Sequence, residues 1–221
     1  MSDLTLFGAH ISPYVRKVRL VLSFKELQYS QVSVIPVMPD KPQEFIDNSP
    51  LGKIPLFKIG GDYIADSSVI GSFLEREFPA KSLLPSDNLQ AAKALWFEEY
   101  ADSKLVSVVG GHLFAEVVLA KALFKREPIQ SDIDLALNTE LPEIFDYLES
   151  QLATDFLVGT EFTLADLSVC GVFVSMMHSD VSCDKEKWPK LASYIDRIFS
   201  MPLFQQIIAE EKGLLNMLLN Q

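Results

Sequence analysis

Cysteine is scarce: the 221 residues hold two, Cys170 and Cys183. They are too far apart for a Cys-x-x-Cys motif and too few for a disulfide framework or a zinc cluster. Both read as reduced, inert thiols, and no metal is expected. Positive charge is also short. Nineteen Lys and Arg against thirty Asp and Glu leave a net charge of −11, which argues against nucleic acid or an anionic membrane as a partner. Any anionic ligand must be held by local groups working against the overall field. The start, Met-Ser-Asp-Leu-Thr-Leu-Phe, has no basic segment leading into an apolar stretch, and no apolar run is read as long enough to span a bilayer. A soluble, cytoplasmic protein without membrane or nucleic-acid partners is the expectation. Internal repeats and low-complexity tracts are absent. What is present is apolar content of 48%, enough for one large core or two smaller ones and incompatible with disorder.

The first third alternates short apolar runs with helical pattern, and everything after about Asn88 is helical in period. Leu4 to Gly8 reads as a strand. A helix follows toward Lys25, with Val15, Val18 and Leu22 on one face and Arg16, Arg19 and Ser23 on another. Tyr29 to Val34 alternates as a second strand, and Glu44 to Asp47 suits a short helix. Leu56 to Ile59 and Tyr63 to Ala65 pair as a hairpin at Gly60-Gly61-Asp62. Ser67 or Ser68 is expected to cap the next helix, ending near Phe78-Pro79. Residues 80–87 carry the best linker signal, which predicts a first domain over 1–79 and an all-helical second over 88–221. In the second, a long helix from Asn88 is expected to turn Leu95, Trp96, Tyr100 and Leu105 inward and to bend or break at Gly110-Gly111. Ser131 is expected to cap a helix that Pro142 kinks or interrupts. Thr163-Leu-Ala-Asp166 reads as a capping box opening an apolar helix. Helices are also expected at Leu191 to Phe199 and Leu203 to Leu219. His112 and His178 read as structural or exposed.

Ser12-Pro13 follows the first strand directly. Serine is a favoured N-cap residue, and proline's fixed φ and missing N–H suit a first helical position. Unpaired backbone N–H groups and the positive end of the helix dipole meet there beside a hydroxyl, ready for a phosphate, a carboxylate or a thiolate; an ordinary capped helix is the plainer reading. Ile54-Pro55 precedes the hairpin. Proline is the residue for which a cis peptide is cheap, and a cis bond would present the Ile54 backbone as an edge for an extended peptide; a trans proline in a loop is the alternative. Asp66-Ser67 offers an acceptor for an ammonium group and donors for a carboxylate, a pair that fits a zwitterionic amino-acid end.

With Ser12-Pro13, Ser49-Pro50-Leu51-Gly52-Lys53-Ile54-Pro55 and Asp66-Ser67 in this order, followed by the linker, the helical segment and the capping box, the chain resembles the cytosolic glutathione transferases over essentially its whole length. The resemblance implies an α/β thioredoxin-like domain (βαβ-α-ββα) followed by an all-α domain. It implies glutathione as co-substrate, a small hydrophobic electrophile and a homodimer. Ser12 would hold the thiol, Ile54 beside Pro55 the cysteinyl backbone, Ser67 with Asp66 the γ-glutamyl end, and Lys41 and Lys53 the glycyl end. Ser49 stands where the family usually has asparagine. Phe7 occupies the strand region where some members carry a catalytic tyrosine. Ser12 stands where others carry cysteine, and the isomerase subgroup's Ser-Ser-Cys-Ser run is absent. The pattern therefore looks like the serine-type members, tau-like or a related bacterial class. His10, Tyr14, Tyr100, Ser107 and Gly111 are candidates to line the electrophile pocket. The resemblance implies transfer of glutathione to electrophiles, with reduction or peroxidase activity at the side. The other reading is a non-catalytic binding or regulatory protein on the same scaffold, like the RNA-polymerase-associated starvation proteins.

Overall fold

Apolar residues at Leu4, Leu6 and Phe7, all buried, place the first strand inside a sheet rather than at its edge. The computed structural model describes residues 3–219 and divides into two compact units, one ending at Ser82 and the other beginning at Leu83. In the first unit β1 (Leu4–Phe7) pairs in parallel with β2 (Ser30–Val32) and antiparallel with β3 (Leu56–Ile59), and β3 forms a hairpin with β4 (Asp62–Ala65). The sheet order is β2-β1-β3-β4. Gly60, at φ +58°, supplies the left-handed residue at the hairpin tip. Helix α1 (Pro13–Phe24) makes the crossover from β1 to β2, α2 (Gln43–Asn48) precedes β3, and α3 (Ser67–Glu77) follows β4. Phe7, Val34, Phe45 and Leu56 form one buried cluster, with Val32, Ile54 and Tyr63 packed against it. This is the expected thioredoxin-like arrangement.

One expectation for this unit needs correction and another gains detail. The face of α1 that carries Arg16 and Arg19 is buried as well: Arg16, Lys17 and Arg19 lie inside along with Val15, Val18 and Leu22. Long side chains cover apolar surface with their stems, so a cationic residue type alone does not mark an exposed face. The cap of α3 is Asp66, not Ser67 or Ser68. Asp66 sits at φ +77° and its carboxylate accepts from the N–H groups of Ser68 and Val69. At the other end of α1, buried Lys25 donates to the carbonyls of Phe78 and Lys81 and pairs with Glu75 at 2.8 Å, fixing the chain that leaves α3.

The second unit is helical. Its first helix, α4 (Asn88–Ala122), is 35 residues long. It does not break at Gly110-Gly111; instead Ala101–Leu119 is wound as π-helix. Ser103 and Ser107 donate back to the carbonyls of Glu99 and Lys104, the kind of side-chain competition that opens a helical ladder without ending the helix. Leu105 is buried as expected, Tyr100 half-buried, and Leu95 and Trp96 are exposed. By length and apolarity this one helix is sufficient to cross a membrane, contrary to the sequence reading, but half of its apolar window is buried inside the fold.

Helix α5 covers 130–151. Ile129, not Ser131, is its N-cap residue. Pro142 does not interrupt α5; the five residues before the Leu141–Gln151 segment, Ala136–Glu140, take π winding, which accommodates a ring that would clash with a carbonyl one turn back. Helices α6 (Leu164–His178), α7 (Pro189–Phe199) and α8 (Pro202–Leu219) complete the unit. The capping box at Thr163 and Asp166 is present. Buried Asp166 also accepts from the Leu157 N–H and the Tyr194 hydroxyl, joining a loop, α6 and α7. Glu149 accepts from the Lys190 and Leu191 N–H groups and so serves as the N-terminal partner that Trp188 cannot supply to α7.

Candidate active site

The register of the sheet decides which residues meet. Phe7 pairs with Leu56, and Leu56 with Ala65. The chain leaving β1 toward Ser12, the chain entering β3 through Ile54-Pro55 and the chain leaving β4 into Asp66-Ser67 therefore emerge at one end of the sheet. Gly8 keeps the first two close, because an added Cβ there would lie 3.3 Å from the Ile54 Cβ and would collide with Val15. A second tie runs from α1 to the first turn of α3, where buried Lys17 donates to the Ser68 hydroxyl at 3.1 Å.

Ser12 is the N-cap residue of α1, yet its hydroxyl makes no cap bond. Its backbone is nonetheless held: its N–H donates to the Ala9 carbonyl and its own carbonyl accepts from the Arg16 N–H at 2.8 Å. A half-exposed hydroxyl on a fixed backbone, at the positive end of a 12-residue helix, is a preformed donor for an anion.

Ile54-Pro55 is cis. The Ile54 N–H and carbonyl, just outside β3, take no hydrogen-bond partner among the described residues. The loop before them is braced. Ser49 donates its hydroxyl to the Lys53 carbonyl at 3.0 Å, and Gly52, at φ +62°, donates its N–H to the Ser49 carbonyl. Serine in place of the family's asparagine therefore still supports this loop. Ser67, buried at the first position of α3, keeps a hydroxyl without a hydrogen-bond partner among the described residues, while the exposed Asp66 carboxylate holds the helix start.

These loops and helix ends are the hallmarks by which the chain can be placed. Residues 6–82 match the model of the glutathione S-transferase N-terminal domain, and residues 116–202 match that of the C-terminal domain. The chain belongs to the glutathione S-transferase family. It is similar to glutathione S-transferase DHAR2 of Arabidopsis thaliana, with 28% identity over 204 residues, 90% of this chain and 85% of that relative. Among solved structures it resembles a glutathione S-transferase from Rhodospirillum rubrum, with TM-score 0.83 and 24% identity over 92% of this chain and 91% of the other. It also resembles a glutathione transferase homologue from Drosophila mojavensis solved with bound glutathione, with TM-score 0.74 and 25% identity over 96% of this chain and 98% of the other.

The remaining glutathione transferase candidates are placed less directly. Lys41 donates its ammonium to the Pro36 carbonyl at 2.9 Å within its own loop, and Lys53 is exposed. They flank α2 on opposite sides in sequence, with no contact between them described. His10 and Tyr14 are half-buried on either side of Ser12. In the helical unit, Ser107 and Gly111 lie on the exposed side of α4, with the Ser107 hydroxyl turned back onto its own helix. Tyr100 packs on Tyr147 at 5.0 Å between ring centroids, and burial, followed by Tyr147 and Glu143, pushes its phenol up to about 12. It is a neutral phenol at neutral pH.

The sequence reading missed what Asp66, Arg16 and Lys17 do. Aspartate ranks with serine as an N-cap residue, so the Asp66 signal was present in the residue type. Burial of Arg16 and Lys17 has no local signal, because it depends on what packs against α1.

Proposed function

We propose that the protein is a glutathione transferase in which Ser12 stabilises the glutathione thiolate for attack on small hydrophobic electrophiles. The observation that carries this reading is the uncommitted Ser12 hydroxyl on a fixed backbone at the N-terminus of α1, beside the unpaired Ile54 backbone and the start of α3. Ile54 takes the cysteinyl backbone by strand addition. Ser67 donates to the γ-glutamyl carboxylate, Asp66 faces its ammonium group, and Lys41 and Lys53 serve the glycyl carboxylate. Lys41 must exchange its bond to Pro36 to do so.

A free thiol with pKa about 8.5 is mostly protonated at neutral pH. Lowering that value by about two units requires about 2.7 kcal/mol of preference for the anion. A helix terminus supplies about 0.3 to 1 kcal/mol and a hydrogen bond to a charged group about 1.5 to 3. The two together reach the requirement, so Ser12 acts as a donor to sulfur rather than as a nucleophile or base. The protein acts as a cytoplasmic homodimer, as its resemblance implies.

Calorimetry with reduced glutathione, followed by conjugation assays over a panel of electrophiles, tests the reading. Binding with turnover supports it. No detectable heat at millimolar glutathione overturns it, and binding without turnover of any electrophile favours a ligand-binding role instead.

A further inference from the structure

We infer that Arg16 is a positioning residue for the thiolate site, acting through the Ile11-Ser12 peptide; this rests on the assignment of Ser12 above. Arg16 is fully buried one helical turn after Ser12. Its guanidinium donates to the Ile11 carbonyl at 3.2 Å, and its backbone N–H donates to the Ser12 carbonyl at 2.8 Å. The Ser12 N–H donates to Ala9 at 3.1 Å. The peptide joining Ile11 and Ser12 is therefore held by its carbonyl and by its N–H, and the carbonyl of the next peptide is held as well. Two of these three bonds end on Arg16.

The consequence is directional. Ser12 has no side-chain cap bond to orient it, so the placement of its hydroxyl depends on the backbone that carries it. A guanidinium on the Ile11 carbonyl also draws the negative end of that peptide dipole toward a cation, leaving the hydroxyl and the helix N–H groups to face the ligand. Arg16 need not touch glutathione to do this. A planar fork fixes a carbonyl more tightly than a flexible ammonium, so lysine is only a partial substitute.

The experiment compares wild type with Arg16→Gln and Arg16→Lys, each shown by circular dichroism to be folded at the assay temperature. It measures kcat, KM for glutathione, and the ultraviolet thiolate absorbance of the glutathione-saturated protein at neutral pH. In Arg16→Gln, kcat should fall by about tenfold to a hundredfold, the range for a lost charged hydrogen bond or a misplaced reacting group. KM should change by less than about twofold, because the peptide's other anchors are untouched. The thiolate absorbance should fall in parallel, and Arg16→Lys should recover part of both losses. A purely structural arginine would lower thermal stability without moving the absorbance of the saturated complex. If Arg16→Gln does not fold, Arg16→Lys carries the same comparison, with a smaller loss of kcat expected at nearly constant KM. Wild-type kcat and absorbance in either folded variant overturn the inference alone. A wild-type protein that takes up no glutathione overturns the assignment of Ser12 and this inference with it.

Discussion

Ser12 and Asp66 both stand at helix N-caps, and the structure gives them opposite duties. The Ser12 hydroxyl makes no bond to α1, whereas the Asp66 carboxylate accepts from two N–H groups of α3. Replacing an N-cap side chain that does bond the helix costs about 0.5 to 2 kcal/mol. Ser12→Ala should therefore leave the unfolding midpoint of the free protein nearly unchanged while lowering conjugation by about tenfold to a hundredfold, the equivalent of about 1.5 to 3 kcal/mol. Stopped-flow or steady-state conjugation beside a thermal melt checks both halves. Full activity in Ser12→Ala would remove Ser12 from the mechanism and make His10 and Tyr14 the next residues to change. Asp66→Ala should do the reverse for stability, costing about 0.5 to 2 kcal/mol in chemical denaturation through the lost cap, with added cost from a Cβ residue at φ +77° that can no longer hydrogen-bond locally. The Ser12 motif was legible because serine and proline are adjacent and stand only a few residues after the first strand. The division of labour was not, because which hydroxyl stays uncommitted depends on the path of the backbone around it.

Among elements, the connection between α4 and α5 shows how a charged side chain can organise a loop. Buried Glu116 accepts both nitrogens of the Arg126 fork at 2.6 Å and the Ile129 N–H at 2.8 Å, so one carboxylate gathers the end of α4, the loop and the N-cap residue of α5. The Arg126 fork first, and the Ile129 N–H second, hold the Glu116 carboxyl down to about 2 from an ordinary 4.5. A depressed carboxyl stabilises the fold above its unfolded value and loses that contribution as the pH falls through the folded one. The wild-type advantage over Glu116→Gln should therefore be full above pH 4.5 and vanish as the pH approaches 2. Thermal melts of the two proteins across that range measure it, and a constant difference would mean that Glu116 acts by shape alone. Neither partner was singled out by the sequence, since residues ten apart on a helix and a loop carry no periodic signal. Thr163 and Asp166 were legible because a capping box is local. Gly110-Gly111 misled for the complementary reason: two glycines weaken a helix by propensity, but burial of Leu105, Val108, Val109 and Leu113 along α4 holds it together.

At the scale of the molecule, composition foretold the two-part architecture, since strand-forming runs stop before the long helical stretch. What the parts leave exposed bears on assembly. Ile46, Leu51 and Val69 in the first unit and Leu89, Leu95 and Trp96 in the second are large apolar side chains open to solvent in the single chain, with Leu51 78% exposed. Scattered apolar residues are ordinary on a protein surface, and the homodimer that the family resemblance implies would cover some of them; Leu51, the most exposed, is the one to test. In a two-fold interface each substitution appears twice. Light scattering should give twice 24.7 kDa for the wild type at micromolar concentration. Leu51→Asp should shift the population toward 24.7 kDa, because each dimer would then bury two carboxylates where it had buried two leucines. Each unit has its own core, so the dissociated chain should keep its helical circular dichroism. A wild type of 24.7 kDa would reject the dimer, and a Leu51→Asp protein that stays at twice that mass would place Leu51 outside the interface.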